Sequence, residues 1–314
     1  MKILFWGTPA FALPALRALT GEGHDVVGVV TQPDRPAGRG RSVRPPPVKQ
    51  VAIEEDIPVF QPERADEAAF LERVAGLAAD MSVVVAYGQI LKRHVLDAPR
   101  EGSINVHASL LPELRGAAPI NWAIARGHRA TGVSVMRMVE RMDAGPILHQ
   151  VPEPIGPHET ATDLTLRLSE IGAEALVEAL ALYEAGAIEE RPQDEALATY
   201  APRIEAATAR VDWGRPALEV DRHVRAMDAV PGAWTLHGGA RLKLFRPLPA
   251  EDMAHGAAPG TVLDVEPEDP AEGMLVACGQ GAVWVREIQP AGRRRMTTTD
   301  WLRGRSVAGG ERFE

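Results

Sequence analysis

Asn105-Val106-His107-Ala108-Ser109-Leu110-Leu111-Pro112 follows the short apolar approach of Ser103-Ile104. Such an approach, ending in an Asn and a His two residues apart, reads as the end of a strand. Side chains at i and i+2 of a strand point to the same face. Asn105 could therefore donate a hydrogen bond to a developing oxyanion while His107 handles a proton beside it. Arg115-Gly116 comes next, and Asp143-Ala144-Gly145 after a gap. That distant Asp could orient or charge the His. Taken singly, an Asn at a strand end is usually a turn residue, a His is usually structural, and an Asp before Gly is usually a turn. Their joint occurrence is what points to catalysis, and it is equipment for moving an acyl group.

Working outward, strands alternate with helices. Lys2 to Trp6 reads as a short buried strand, and Gly7-Thr8-Pro9 turns into a helix over roughly 10–20 with apolar Phe11, Leu13, Leu16 and Leu19. Asp25 to Thr31 reads as the second strand. A Pro-, Gly- and Arg-rich loop runs from Gln32 to Pro47, and helical patterning returns at Val48. Met81 to Ala86 is a continuous apolar run of the kind buried on both faces of a parallel sheet. Ser103 to His107, Thr131 to Met138 and Ile147 to Val151 are further strands. The pattern predicts an α/β fold: a Rossmann-like parallel sheet with helices on both faces.

Thr160-Ala161-Thr162-Asp163 has the form of a capping box and opens a long helix with Gly186 as its C-cap. A polar stretch, Ile188 to Thr199, follows. A helix over Pro216 to Met227 then leads into short strand-like runs at Trp234–His237, Arg241–Phe245, Gly260–Val265, Met274–Cys278 and Ala282–Gln289. His237-Gly238-Gly239-Ala240 is a hairpin signal. Several short strands with Gly turns predict a small β-barrel. The expected organisation is a catalytic domain over 1–187, a linker over 188–205 and a barrel domain over 206–314.

Composition narrows the function classes. A chain of 314 residues with 45% hydrophobic content can bury a sizeable core. Its single cysteine, Cys278, excludes an internal disulfide and fits a reducing cytosol. The nine histidines lie far apart, so no metal site is expected. The apolar run at Met1 to Gly7 is too short for a signal segment or a membrane span, which predicts a cytoplasmic protein. The first turn lacks Gly-x-Gly-x-x-Gly and no P-loop occurs, so no nicotinamide cofactor is expected.

The net charge of −9 argues against indiscriminate nucleic-acid binding, but it is unevenly spread. Within 206–314, many of the acids crowd into one segment, from Glu251 and Asp252 through Asp264, Glu266, Glu268 and Asp269 to Glu272; without it the remainder is basic. Arg35, Arg39, Arg41, Arg44 and Lys49 share the 34–49 stretch with one acid, Asp34. Arginines meet phosphates through forked hydrogen bonds, which makes this stretch the best nucleic-acid candidate.

Asn105-x-His107, Ser109-Leu110-Leu111-Pro112, Arg115-Gly116-Ala117-Ala118-Pro119 and Asp143-x-Gly145 resemble the core of the folate-dependent formyltransferase family. Gly7-Thr8-Pro9-x-Phe11-Ala12, Gln32 to Gly40, Tyr200-Ala201-Pro202, Val211-Asp212-Trp213, Pro231-Gly232-Ala233, Gln289-Pro290-Ala291-Gly292 and Met296 to Gly304 resemble, in order, the members of that family that act on methionyl-tRNA. Ala108 stands where the family often has Gly, a small departure.

The resemblance implies a formyl transfer from 10-formyltetrahydrofolate to the α-amino group of methionyl initiator tRNA, and an OB-like form for the barrel. Asn105, His107 and Asp143 would be catalytic. Asp143 would hold His107 charged or relay the amine's proton. Ser109, Leu110, Leu111 and Pro112 would line the folate pocket, with Tyr87, Gly88, Gln89 and Ile90 as a second wall. Arg35, Arg39, Arg41, Arg44 and Lys49 would meet the tRNA acceptor stem, and the protein would act as a monomer. Arg115 could pair with a ligand anion or with a structural carboxylate. A sugar-nucleotide N-formyltransferase, a formyltetrahydrofolate hydrolase and a non-catalytic RNA-binding protein are the competing readings. The basic loop argues against the first two, and the Asn-His-Asp set against the last.

Overall fold

The apolar run after Lys2 forms strand β1 (Lys2–Gly7), buried throughout except at its first residue. The computed structural model describes residues 1–37, 42–265, 273–304 and 307–314. After β1 come a 3₁₀ turn (Ala10–Ala12), helix α1 (Leu13–Gly21), β2 (Asp25–Val30), β3 (Arg35–Ala37), β4 (Ser42–Arg44), α2 (Pro47–Glu54), β5 (Val59–Phe60), α3 (Ala68–Ala75), β6 (Met81–Val85), α4 (Arg93–Leu96) and β7 (Ser103–His107). The first half ends with α5 (Pro119–Ala125), β8 (Ala130–Arg137), β9 (Ile147–Pro154) and α6 (Ala161–Glu184).

The main sheet has the order β5-β2-β1-β6-β7-β8-β9. From β5 to β7 the pairing is parallel, as the continuous apolar runs predict. The chain moves outward from β1 to β2 and β5, then returns to the other side of β1 for β6. That reversal sets the topological switch point, where α/β sheets bind ligands, between the carboxyl ends of β1 and β6. The last two strands depart from the expected parallel sheet: β8 is antiparallel to β7, and β9 to β8. Residues 138–146 are too few for a parallel crossover, which needs about a dozen residues or more.

The stretch read as a loop from Gln32 to Pro47 carries the short antiparallel pair β3 and β4, with Arg35 opposite Arg44. Arg39 and Arg41 lie outside the described residues, as do Glu266, Glu268, Asp269 and Glu272 of the acidic segment.

The chain divides into two units, and neither is continuous in sequence. One is Met1–Pro119, Ala130–Pro154 and Thr165–Ala201; the other is Ile120–Arg129, Ile155–Leu164 and Pro202–Glu314. The capping box at the start of α6 forms as its sequence suggests: Thr160 Oγ1 accepts from the Asp163 amide at 3.2 Å, and Asp163 accepts from the Thr160 amide at 3.1 Å. The α6 start is tied to the later chain by Arg225, which donates to Glu159 O at 3.0 Å, and α5 by Asn121, which donates to Ala226 O at 2.7 Å.

The junction expected over 188–205 takes a different form. Residues up to Ala201 belong to the first unit. Arg191 exchanges both backbone hydrogen bonds with Ile147 at 2.8 Å, and Arg115 bridges to Tyr200. Much of the polar sequence read as a linker is a strap hydrogen bonded to the sheet unit.

In the second unit α7 (Ala217–Met227) precedes β10 (Ala233–His237), β11 (Ala240–Ala250), β12 (Val262–Asp264), β13 (Met274–Ala277), β14 (Ala282–Pro290), β15 (Met296–Thr297) and α8 (Thr298–Arg303). The strands pair antiparallel in the order β10-β11-β14-β13-β12, with β15 on β14, which matches a small OB-like barrel. Its interior is aliphatic, built on Leu244, Val276, Val283 and Ile288, with Trp213 stacked on Phe313. Cys278 is fully buried there. Among the described residues, no helix is long and apolar enough to cross a membrane, and no cluster of three His, Cys, Asp or Glu could hold a metal.

Candidate active site

β7 ends at the site. Its residues are buried except Asn105, which is partly exposed. Among the described residues the Asn105 side chain has no hydrogen-bond partner. His107 is 6% exposed, and its Nε2 lies 3.0 Å from Leu114 O. A carbonyl only accepts, so Nε2 donates, the ring is fixed, and Nδ1 is left as the working edge. Nδ1 faces Asp143 Oδ2 at 3.7 Å. Three groups read from the sequence as one constellation are thus on one site.

Asp143 sits in the β8–β9 connection with φ 50°, the left-handed region that Asp tolerates better than most residues. Its Oδ2 accepts from the Gly116 amide at 2.8 Å. Gly116 has φ 121°, and a Cβ there would meet Ala201 O at 2.7 Å, so only glycine fits. Gly145 is needed for a different reason: a Cβ would clash with Arg137 O, where two backbones touch.

Arg115 is 1% exposed. Its Nε and one terminal nitrogen donate to Gln193 Oε1 at 3.0 and 2.7 Å, and its terminal nitrogens reach the Glu195 carboxylate at 3.1 and 2.9 Å. Of the two alternatives for Arg115, the structural carboxylate is the one occupied. The Arg115 hydrogen bonds hold the Glu195 carboxyl below its ordinary range. Arg141 also pairs with Glu195, at 2.6 Å.

The Ser109–Pro112 turn is internally braced. Ser109 Oγ donates to Glu113 O at 2.6 Å, and Ser134 Oγ, on the neighbouring β8, donates to Ser109 O at 2.7 Å and accepts from the Leu111 amide at 3.0 Å. Gln150 adds a bond to Leu111 O at 3.0 Å. Ser109 and Leu111 are buried and shape the turn; Leu110 and Pro112 are half-buried and remain available as a wall.

The second wall divides in the same way. Tyr87 is 2% exposed in a core cluster, edge-on to Trp6 at 5.1 Å, and burial pushes its phenol up to about 12. Gln89 is fixed by Ala65 N, Glu63 O and Gln32 Oε1. Gly88 and Ile90 are exposed at the switch point, Ile90 at 74%. Thr8 Oγ1 donates to Tyr87 O at 2.8 Å and accepts from the Gln32 amide at 3.3 Å, tying together the ends of β1, β2 and β6.

Of the basic residues proposed for tRNA, Arg35 and Arg44 are exposed and adjacent. Lys49 is engaged instead: Asp34 accepts from it at 2.8 and 2.9 Å, and Gln61 shares that carboxylate. Lys49 anchors the hairpin base.

Gln193, Glu195, Thr199, Ser134 and Gln150 support the site and were not singled out from the sequence. Their partners lie tens of residues away, and no periodicity marks a polar side chain that folds back onto a distant loop.

Residues 1–180 match the formyl transferase family and residues 203–306 its C-terminal domain. The chain is 47% identical to a methionyl-tRNA formyltransferase of Symbiobacterium thermophilum, covering 100% of this chain and 95% of that protein. It is 44% identical to one of Geobacter sulfurreducens, covering 100% and 96%. Among solved structures, HypX of Aquifex aeolicus in complex with tetrahydrofolic acid shares the fold at TM-score 0.67 and 22% identity, over 96% of this chain and 47% of that one. A Helicobacter canadensis N-formyltransferase in complex with folinic acid and dTDP-3-aminofucose does so at 0.66 and 16%, over 92% and 99%. With both family domains matched and relatives above 40% identity over its full length, the chain belongs to the formyl transferase family.

Proposed function

We propose that this enzyme transfers the formyl group of 10-formyltetrahydrofolate to the α-amino group of methionyl initiator tRNA, in the cytoplasm, for translation initiation. The observation that carries the reading is the His107–Asp143 pair at the end of β7, with the uncommitted amide of Asn105 one pleat away on the same face. The full-length methionyl-tRNA formyltransferase relatives support the acceptor.

Asn105 donates to the formyl oxygen as it becomes an oxyanion. A fixed donor of that kind is worth about 3–4 kcal/mol of barrier. The amine nitrogen forms the new C–N bond directly, since a free α-amino group with a pKa of about 7.7–8.0 needs little help to expose its lone pair. Asp143 takes the amine's proton on Oδ1, because Oδ2 is held by Gly116. Protonated His107 gives a proton from Nδ1 to the departing folate nitrogen as the old C–N bond breaks. Proton passage from Asp143 to His107 resets the site. No covalent enzyme intermediate is needed.

Leu110, Pro112, Gly88 and Ile90 form the accessible walls for the folate, with Ser109, Leu111, Tyr87 and Gln89 holding them in place. Arg35 and Arg44 stand opposite each other on an antiparallel pair. Like charges so placed repel unless an anion lies between them, which suits a tRNA phosphate. Arg39 and Arg41 lie between them in the sequence and add to the positive charge of the stretch.

The purified enzyme with formylated folate, offered methionyl-tRNA, an amino-sugar nucleotide or water alone, tests the reading. Donor consumption dependent on methionyl-tRNA is expected. Turnover with the amino sugar, or with water alone, would replace it.

A further inference from the structure

The side chain of Gln193 joins two parts of the site. Its Oε1 accepts from Nε and a terminal nitrogen of Arg115, at 3.0 and 2.7 Å. Its Nε2 donates to the carbonyl oxygens of Asp143 and Gly145, at 2.8 and 2.7 Å. A neutral amide suits this position, since it must accept from a guanidinium at one end and donate to two carbonyls at the other.

These bonds close a ring. Arg115 leads into Gly116, and the Gly116 amide holds Asp143 Oδ2 at 2.8 Å. Gln193 then grips the backbone of Asp143 itself. The strap around it is fixed independently: the Arg115 amide donates to Thr199 O at 2.9 Å, the Leu114 amide to Thr199 Oγ1 at 2.8 Å, and the Ala201 amide to Arg115 O at 2.7 Å. Leu114 O is also the acceptor that orients His107. One segment therefore sets both the imidazole and the carboxylate that faces it.

We propose that Gln193 is a positioning residue for formyl transfer, fixing the Asp143 turn so that the carboxylate meets the His107 imidazole. The proposal rests on the catalytic roles given above to His107 and Asp143.

Gln193→Glu separates its two ends. The glutamate keeps an acceptor for Arg115 but has no N–H for the two carbonyls of the turn. Gln193→Ala removes both. Single-turnover rates, KM values for donor and tRNA, melting temperature, and the ¹⁵N shifts of the His107 ring would be measured for both variants. Misplacing a reacting group by an ångström can cost about 100-fold, and each variant is expected to lower kcat by about 10- to 100-fold with KM values nearly unchanged. The His107 ring nitrogens should shift in both, and Gln193→Glu should not rescue the rate even where it melts like the parent. Parental kcat and ring shifts in Gln193→Glu would overturn the proposal. So would a rate loss in Gln193→Ala that only tracks its unfolded fraction. The ring shifts need no acceptor, so they read positioning even if the parent protein failed to formylate methionyl-tRNA, a result that would sink the functional reading instead.

Discussion

At the residue scale, the site depends on small groups with single duties. In the proposed mechanism Asn105 donates to the oxyanion, so Asn105→Ala should lower kcat by about 10²- to 10³-fold with donor KM little changed, in steady-state assays. Arg115 is buried and makes four side-chain bonds in a forked arrangement to Gln193 and Glu195. Lysine carries the charge without the fork. Arg115→Lys should therefore reduce both melting temperature and kcat, whereas a lysine equal to the parent on both measures would remove the structural role. That Asp143 would meet His107, with Asn105 on the same strand, was legible because strand alternation and a recognisable constellation agree. Arg115 was legible as important but not in its partner, which stands 80 positions along the chain. Gln193 was invisible: a glutamine between a proline and an aspartate reads as surface until the chain folds it onto Arg115.

At the scale of elements, hydrophobic runs located eleven of the fifteen described strands, missing β3, β4, β5 and β15, and capping chemistry placed the start of α6. The direction of β9 was not legible in its strand, because it depends on the length of the connection at 138–146, and the apolar run of β8 carries no sign of its direction either. The β3–β4 hairpin was hidden in a sequence dominated by Pro, Gly and Arg. Replacing Arg35 and Arg44 by Gln should raise KM for tRNA and lessen the slope of log affinity against log salt by about 2, near one phosphate each. An unchanged slope would take the hairpin out of tRNA binding. On α7, burial lowers the pKa of His223 below its ordinary value of 6.5. The folded protein then binds fewer protons there than the unfolded chain. The contribution of the neutral ring is complete above pH 6.5 and is lost as pH falls below that value towards the folded pKa. His223→Gln should narrow the difference in melting temperature between about pH 7.5 and about pH 5.5.

At the scale of the whole molecule, the chain combines a sheet unit that holds the His107–Asp143 pair with a barrel unit to which most of α5 and the start of α6 also belong. The order of the two was readable from the change between long apolar runs and short Gly-punctuated ones. The interleaving was not, since nothing in 120–129 or 155–164 marks them as packing with residues beyond 201. Cys278 is enclosed in the barrel, where burial pushes its thiol up to about 12. A thiol reagent should leave the folded protein unmodified and titrate one group per chain in denaturant; rapid reaction in the native state would contradict that burial. The proposed mechanism is direct transfer through one amide, one imidazole and one carboxylate. Its most direct test is the single-turnover rate of formyl-methionyl-tRNA production by the parent, His107→Gln and Asp143→Asn, each shown to be folded. Losses of about 100-fold or more in both variants, with no formyl-enzyme trapped on quenching, are the predicted result. Near-parental rates in either variant, or a formyl group recovered covalently on the protein, would contradict it.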